Sequence, residues 1–140
     1  MSLDLAIALG ATGQKGITVT DEHTAPFVGS GRVRVLATPV MINLFEAAAL
    51  AAIEHLLPEG HQSLGTHLDV SHLAATPVGM KVMATAEVIA VDGRTVAFRV
   101  TARDERDLIG EGVHKRVVVN VAKFDVRVQE KIAFCKSTPP

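Results

Sequence analysis

Three side chains of this 140-residue sequence, Thr38, Glu46 and His72, are of the types that act together on one carbonyl. Glu46 is a lone acid in the apolar run Met41-Ile42-Asn43-Leu44-Phe45-Glu46-Ala47-Ala48-Ala49-Leu50-Ala51-Ala52-Ile53. Among such neighbours a carboxylate is expected to be desolvated, which raises its pKa and suits it to act as a base. His72 lies in the segment SLGTHLDVSHLAATPVG, from Ser63 to Gly79. Imidazole titrates near neutrality and moves a proton in either direction. Thr38 stands where the helix bearing Glu46 begins. The first N–H groups of a helix are unpaired and its dipole is positive there, which suits an oxyanion or a phosphate. Hydroxyl, carboxylate and imidazole together supply what acyl transfer needs: a nucleophile or activated water, a base, and donors for the developing negative charge. Each residue also has a plain structural alternative. Thr38 caps a helix, Glu46 joins a solvent-facing stripe, and His72 is a hydrogen-bonded core or loop histidine.

The elements that must position these groups follow from periodicity. Ile17-Thr18-Val19-Thr20 reads as a short strand. Asp21 to Arg32 reads as loop, broken by Pro26, Gly29 and Gly31, and Val33 to Ala37 as an extended approach to the helix. Thr38-Pro39 gives a start signal, a hydroxyl N-cap followed by proline at the first helical position. The helix is expected from Pro39 to about Leu57, stopped by Pro58 and Gly60. Five of the six positions from Ala47 to Ala52 are alanine, so a sheet can approach closely. Asn43, Glu46, Leu50 and Glu54 share one narrow stripe at 100° per residue.

Beyond the helix the period falls to two. From Ser63 to Val70, Leu64, Thr66, Leu68 and Val70 point one way, and Ser63, Gly65, His67 and Asp69 the other. His72 has the parity of Val70. Val82, Ala84, Ala86 and Val88 form one face of the next strand, and Val96, Phe98, Val100 and Ala102 one face of its successor. Asp92-Gly93 between them suits a two-residue hairpin. A last strand is expected from Ile109 to Lys123, with Gly110 and Gly112 as bulge or close-approach positions. A strand, a long helix and four consecutive antiparallel strands make an α+β arrangement, an antiparallel sheet curled around a central helix. Its open edges favour pairing of two subunits.

Length and composition fit one domain spanning residues 1–140, with a core of about 16–124 and short extensions at both ends. Fourteen basic and fifteen acidic residues leave little net charge. Without a basic run or interleaved aromatics, the electrostatic footprint of nucleic-acid binding is missing. Cys135 is the only cysteine, so no intrachain disulfide forms and a reducing, cytoplasmic setting is expected. The apolar run near the start lacks a basic n-region, and no stretch is read as a membrane span. His61, His67 and His72 lack metal-ligand spacing and have no cysteine partner, so no metal site is expected.

These motifs resemble, from about Gly16 to Phe124, the hotdog-fold thioesterases, and more narrowly the fluoroacetyl-CoA thioesterase-like group. The resemblance rests on Ala37-Thr38-Pro39, Glu46, Ser63-Leu64-Gly65-Thr66 and His72-Leu73-Ala74-Ala75-Thr76-Pro77. It continues through Val91-Asp92-Gly93-Arg94 and Ile109-Gly110-Glu111-Gly112-Val113-His114-Lys115-Arg116. It implies hydrolysis of a small acyl-CoA at a dimer interface, with Thr38, Glu46 and His72 as the catalytic threonine, glutamate and histidine. Gly65 would line the substrate site and Arg116 stand near it. Coenzyme A would enter as part of the substrate, with no further cofactor, and the protein would be a homodimer or a tetramer of such dimers. Members specialised for the fluorinated substrate carry a hydrophobic lid before the helix, where this chain has Gly29-Ser30-Gly31-Arg32. That departure favours another short acyl group. Whether Thr38, Glu46 or a water attacks stays open. A non-catalytic acyl-CoA sensor and a hotdog enoyl-CoA hydratase are the alternative functions.

Overall fold

The computed structural model describes residues 4–137. In chain order it comprises β1 (Thr12–Thr18), a 3-10 turn, the short α1 (Ala25–Val28), α2 (Thr38–Ile53) with a 3-10 extension over Glu54–Leu56, β2 (His61–His72), β3 (Lys81–Asp92), β4 (Thr95–Asp104), β5 (Leu108–Asn120) and α3 (Val121–Ser137). The five strands form one antiparallel sheet in the order β1-β3-β4-β5-β2. It curls around α2, which buries Met41, Leu44, Phe45, Ala48, Ala49, Ala52 and Ile53. With its extension, α2 is long and apolar enough to cross a membrane by composition alone, but here those residues form the core of a sheet protein. The alternating faces read for β3 and β4 are the buried ones.

The alanines of α2 allow the close packing expected of them. Gly13 of β1 crosses the helix with no room for a side chain, since a Cβ there would lie 2.3 Å from the Ala48 carbonyl oxygen. Gly110 of β5 meets Met41 in the same way, its Cβ position 2.4 Å from the Met41 Sδ. These glycines are places where backbone must approach a neighbour.

Several boundaries differ from those read in the sequence. β1 starts at Thr12 and ends at Thr18, because its two glycines are accommodated in the ladder with β3. Val33 to Ala37 forms no strand, and only an isolated bridge joins Thr24 to Leu36. The four strands after the helix follow one another in the chain as expected, but they do not lie side by side in that order. β3, β4 and β5 form the meander, while β2 pairs with β5 at the far edge. Residues 73–80 carry the chain back across the start of α2, pinned by Leu36 N–H to the Thr76 carbonyl at 2.8 Å and Val19 N–H to the Met80 carbonyl at 3.0 Å. The last strand stops at Asn120, whose Oδ1 accepts the Lys123 N–H at 3.1 Å and so caps α3. Val121, Phe124, Val128 and Ile132 recur at helical spacing along it, although none is buried.

Candidate active site

Thr38 is the first residue of α2, not its cap. Ala37 holds the N-cap position with extended backbone, Pro39 comes second in the helix, and no side chain caps the end. The Thr38 hydroxyl is therefore free to turn outward, where Oγ1 shares a hydrogen bond of 2.7 Å with His72 Nδ1. This contact joins the helix start to the end of β2, and it replaces the capping role expected from sequence. His72 Nε2 is buried without a hydrogen-bond partner. Burial lowers the pKa of His72, with the Ala74 backbone pulling weakly the other way. A neutral imidazole beside a hydroxyl is therefore the resting form near pH 7. A cavity of about 330 Å³ opens here, lined by Thr38, His72 and residues of the preceding loop, including Ser30 and Val35.

Glu46 belongs to a second cluster. It is not stranded among apolar groups, as the sequence suggested. Its carboxylate is 38 % exposed and Oε2 accepts the Arg116 Nη1–H at 3.0 Å. Arg116, by contrast, is only 5 % exposed, so it is not the surface cation its position on a strand allowed. Its Nε donates to Ser63 Oγ at 2.8 Å and its Nη2 to the Ser63 carbonyl at 3.1 Å. Ser63 in turn donates its hydroxyl to Glu54 Oε1. The guanidinium thus has fixed acceptors on three sides, the arrangement in which a buried arginine is tolerated.

His114 completes this cluster. It is fully buried and stacks on Phe98 with ring centroids 6.1 Å apart. Its Nδ1–H donates to the His67 carbonyl at 2.9 Å, which leaves Nε2 to accept from Arg116 Nη1 at 3.2 Å. Burial lowers its pKa, the His67 carbonyl opposes that, and the Arg116 charge lowers it further. His114 was not singled out from the sequence. The signal was present, because it shares parity with Gly110, Gly112, Arg116 and Val118 on the inward face of β5.

Gly65 sits against Glu46 because β2 is bulged. The pairing register with β5 shifts between Gly65 and His67, leaving Thr66 as an extra residue. The bulge reverses parity at that point. Ser63 and Gly65 therefore share the inward face with Val70 and His72, not with His67 and Asp69 as simple alternation implied. A Cβ at Gly65 would lie 2.5 Å from Glu46 Oε2 and 3.2 Å from the His114 ring.

The predicted residues therefore form two groups. Thr38 and Glu46 are eight residues apart on α2, ~12 Å along its axis at 1.5 Å per residue. Gly110 opposes His72 and Arg116 opposes Gly65, and those six steps along β5 span ~20 Å. Within one chain Thr38 meets His72, and Glu46 meets Gly65 and Arg116, but the pairs do not meet each other. Among the described residues no group of three or more acidic, histidine or cysteine side chains is arranged to hold a metal.

Known proteins share this architecture. Residues 19–122 match the fluoroacetyl-CoA-specific thioesterase family. The fluoroacetyl-CoA thioesterase of Streptantibioticus cattleyicolor is 44 % identical over 97 residues, which are 69 % of this chain and 70 % of that one. A solved fluoroacetyl-CoA thioesterase, a threonine-to-serine variant in complex with acetyl-CoA, superposes with a TM-score of 0.84 at 34 % identity, covering 89 % of this chain and 98 % of its own. A thioesterase superfamily member from Thermus thermophilus gives 0.89 at 30 % identity, covering 94 % and 98 %. The curled sheet on its apolar helix is thus the scaffold of a hotdog thioesterase, a thioester hydrolase. Within that class, the chain belongs to the fluoroacetyl-CoA-specific thioesterase family.

Proposed function

We propose that this protein hydrolyses a small acyl-CoA thioester at a site shared between two copies of the chain. The observation that carries this reading is the division of the chemistry: Thr38 with His72 at one end of β2, Glu46 with Arg116 towards the other. β2 is an edge strand, and Leu64 to Asp69 are exposed along it. Two copies paired antiparallel through this edge bring the Thr38–His72 end of one strand beside the Gly65 end of the other. Each of two symmetric sites then takes its hydroxyl and imidazole from one protomer and its carboxylate from the partner. Pairing also removes the open edge.

In such a site neutral His72 accepts the Thr38 proton through Nδ1 as Oγ1, or a water in its place, approaches the thioester carbonyl. Glu46 Oε2 is held by Arg116 while Oε1 makes no hydrogen bond, so one carboxylate oxygen faces the reacting group or the hydrolytic water. Gly65 leaves the space beside that carboxylate open and adds no side chain to block the substrate. The carbonyl oxygen accumulates charge, with backbone N–H groups near Gly65 or the first turn of α2 as its donors. Collapse then breaks the C–S bond and His72 returns its proton to the departing coenzyme A thiolate. Where Oγ1 attacked, a water repeats the step on the acyl-threonine to release the acid. No further cofactor is required for this chemistry. The cavity beside Thr38, about 330 Å³ and lined by Ser30 and Val35, suits a small acyl group, and Gly29-Ser30-Gly31-Arg32 in place of a hydrophobic lid favours one other than fluoroacetyl.

The test is thiol release from a panel of short acyl-CoAs by wild type, Glu46→Ala and His72→Ala. Release that falls by two orders of magnitude or more in both variants, in keeping with loss of a positioned base, supports the reading. Thermal stabilisation by acyl-CoA with no thiol release from any thioester refutes it and leaves a binding module.

A further inference from the structure

We propose that a basic pocket between the outer face of β5 and the start of α3 holds the phosphorylated nucleotide end of the coenzyme A thioester. This inference rests on the acyl-CoA reading above and assigns the part of the ligand that the Thr38, Glu46 and His72 groups do not touch. A cavity of about 280 Å³ lies there, floored by Val117 and Val119 and walled by Arg94, Lys123, Phe124 and Arg127. Arg94 comes from the β3–β4 turn, and the other two cations from successive turns of α3. Residues 123 and 127 are four apart, so both side chains leave the same face of the helix.

Three features make this more than a solvated basic face. None of the three cations has an acidic partner within ion-pair distance among the described residues, whose ion pairs are Arg34–Asp21 and Arg116–Glu46. They converge from two separate elements on one concavity instead of spreading along a surface. Its apolar floor and half-exposed Phe124 ring offer a flat surface for a base, while the cations offer what phosphates require. Asp92 and Asp125 are the nearest acids in sequence. Asp125 accepts from Gln129, one turn along α3, and is separated by about 160° around the helix from Lys123.

The position is also suitable. Val117 follows Arg116, whose side chain enters the Glu46 cluster on the opposite face of the sheet. Arg116 and Val119 are three residues apart, ~10 Å along the strand, and the path from one face of the sheet to the other adds to this. The pantetheine arm would make this path round the start of β2, where Gly60 precedes His61 beside Asn120. Lys123, Phe124 and Arg127 lie beyond residue 122, outside the segment that matches the family.

The test compares wild type with Lys123→Glu/Arg127→Glu and with Phe124→Ala, all at exposed positions and each checked for an unchanged melting temperature. Exposed ion pairs each contribute a few-fold in affinity, so reversing two charges is expected to raise KM for acetyl-CoA at least about tenfold. KM for S-acetylpantetheine, which lacks the nucleotide, should not move. Titration with adenosine 3′,5′-bisphosphate should show the same loss of affinity. Phe124→Ala should weaken the bisphosphate and leave inorganic pyrophosphate unaffected, which separates nucleotide binding from simple phosphate binding. An unchanged KM for acetyl-CoA in the double variant overturns the proposal while leaving the thioesterase intact. If wild type cleaves no thioester, the acyl-CoA reading fails, and the bisphosphate titration alone then decides whether the pocket takes the nucleotide.

Discussion

The proposed division of the site between protomers makes an unusual quantitative prediction, the recovery of activity from two inactive proteins. One partner carries Thr38→Ala and His72→Ala, the other Glu46→Ala, so that each homodimer lacks one half of both its sites. On the helix the two halves are ~12 Å apart and along the sheet ~20 Å, too far for one chain to bring both to a single carbonyl. Equal amounts unfolded together in urea and refolded by dilution give dimers in a 1:2:1 distribution if association is random. Half are hybrids. In each hybrid one site takes Thr38 and His72 from the Glu46→Ala chain and Glu46 from the other, and is intact, while the second site has lost all three. About one quarter of wild-type thiol release should therefore return. The assay is spectrophotometric detection of free thiol at saturating acyl-CoA, with each mutant refolded alone as its background. Dilution below the dimer dissociation constant should abolish the recovered signal. Activity at background in the mixture, with hybrid dimers demonstrated by differently tagged chains, refutes the divided site and places the three groups within one chain.

Three further outcomes follow from the same geometry. Arg116→Met keeps the aliphatic stem but leaves the Ser63 carbonyl and His114 Nε2 without a donor. With the Glu46 contribution discounted for its exposure, a loss of roughly 2–4 kcal/mol in urea unfolding is expected, and wild-type stability would refute the buried network. Gly65→Ala pushes the far end of the Glu46 side chain away from Arg116 and displaces no backbone, and that ion pair is partly exposed, so unfolding should change by less than about 1 kcal/mol while kcat falls, and a loss in stability without loss in kcat contradicts that reading. His72 and His114 both have lowered pKa values in the folded state. Below the ordinary value of 6.5 the unfolded chain binds protons first. Stability is then fully present above pH 6.5 and declines as pH falls through the lowered values, as urea midpoints between pH 8 and pH 5 should register. The decline should be shallower in His114→Gln, and midpoints that rise on acidification contradict the assignment.

Much of this arrangement was legible from residue type and spacing. The apolar faces of β3 and β4 and the alanine-rich α2 follow from periods of 2 and 3.6, because each face is buried against one neighbour. The Thr38–His72 pair was legible for a different reason, since a hydroxyl at a helix start and a histidine at a strand end occupy defined points in the topology. What escaped was decided by tertiary contact. Alternation places Ser63 and Gly65 opposite His72, and only the extra residue at Thr66 brings them round. Gly65 is a local mark that a bulge is possible there, but which residue is inserted is set by pairing with β5. The environment of Glu46 was misread for the same cause. Its neighbours on α2 are apolar, but the groups that reach its carboxylate come from residues 70 positions away. Read from sequence, the last strand runs to Lys123 and the rest is a short extension, where the structure has the helix Val121–Ser137, whose own apolar spacing is helical.

The bulge explains why the two halves of the site differ in character. At the Glu46 end, one inserted residue turns Ser63 and Gly65 toward a buried guanidinium and the His67 carbonyl toward His114, and Nε, Nη1 and Nη2 of that guanidinium all donate to fixed acceptors. Such a network holds a carboxylate in one place. At the Thr38 end there is a single hydrogen bond, an unpartnered imidazole nitrogen and a cavity walled partly by a glycine-rich loop. A rigid carboxylate is suited to chemistry common to all thioesters, and a loosely framed cavity to the group that differs among them. Substitutions in the loop over residues 29–35 should therefore change which acyl group is preferred while leaving the Glu46 cluster intact. Exchange of Gly31-Arg32 for bulky apolar residues is expected to alter the ranking of acyl-CoAs by kcat/KM without shifting the urea midpoint. If the same exchange lowers all substrates equally, the loop serves the chemistry, and acyl selection lies elsewhere.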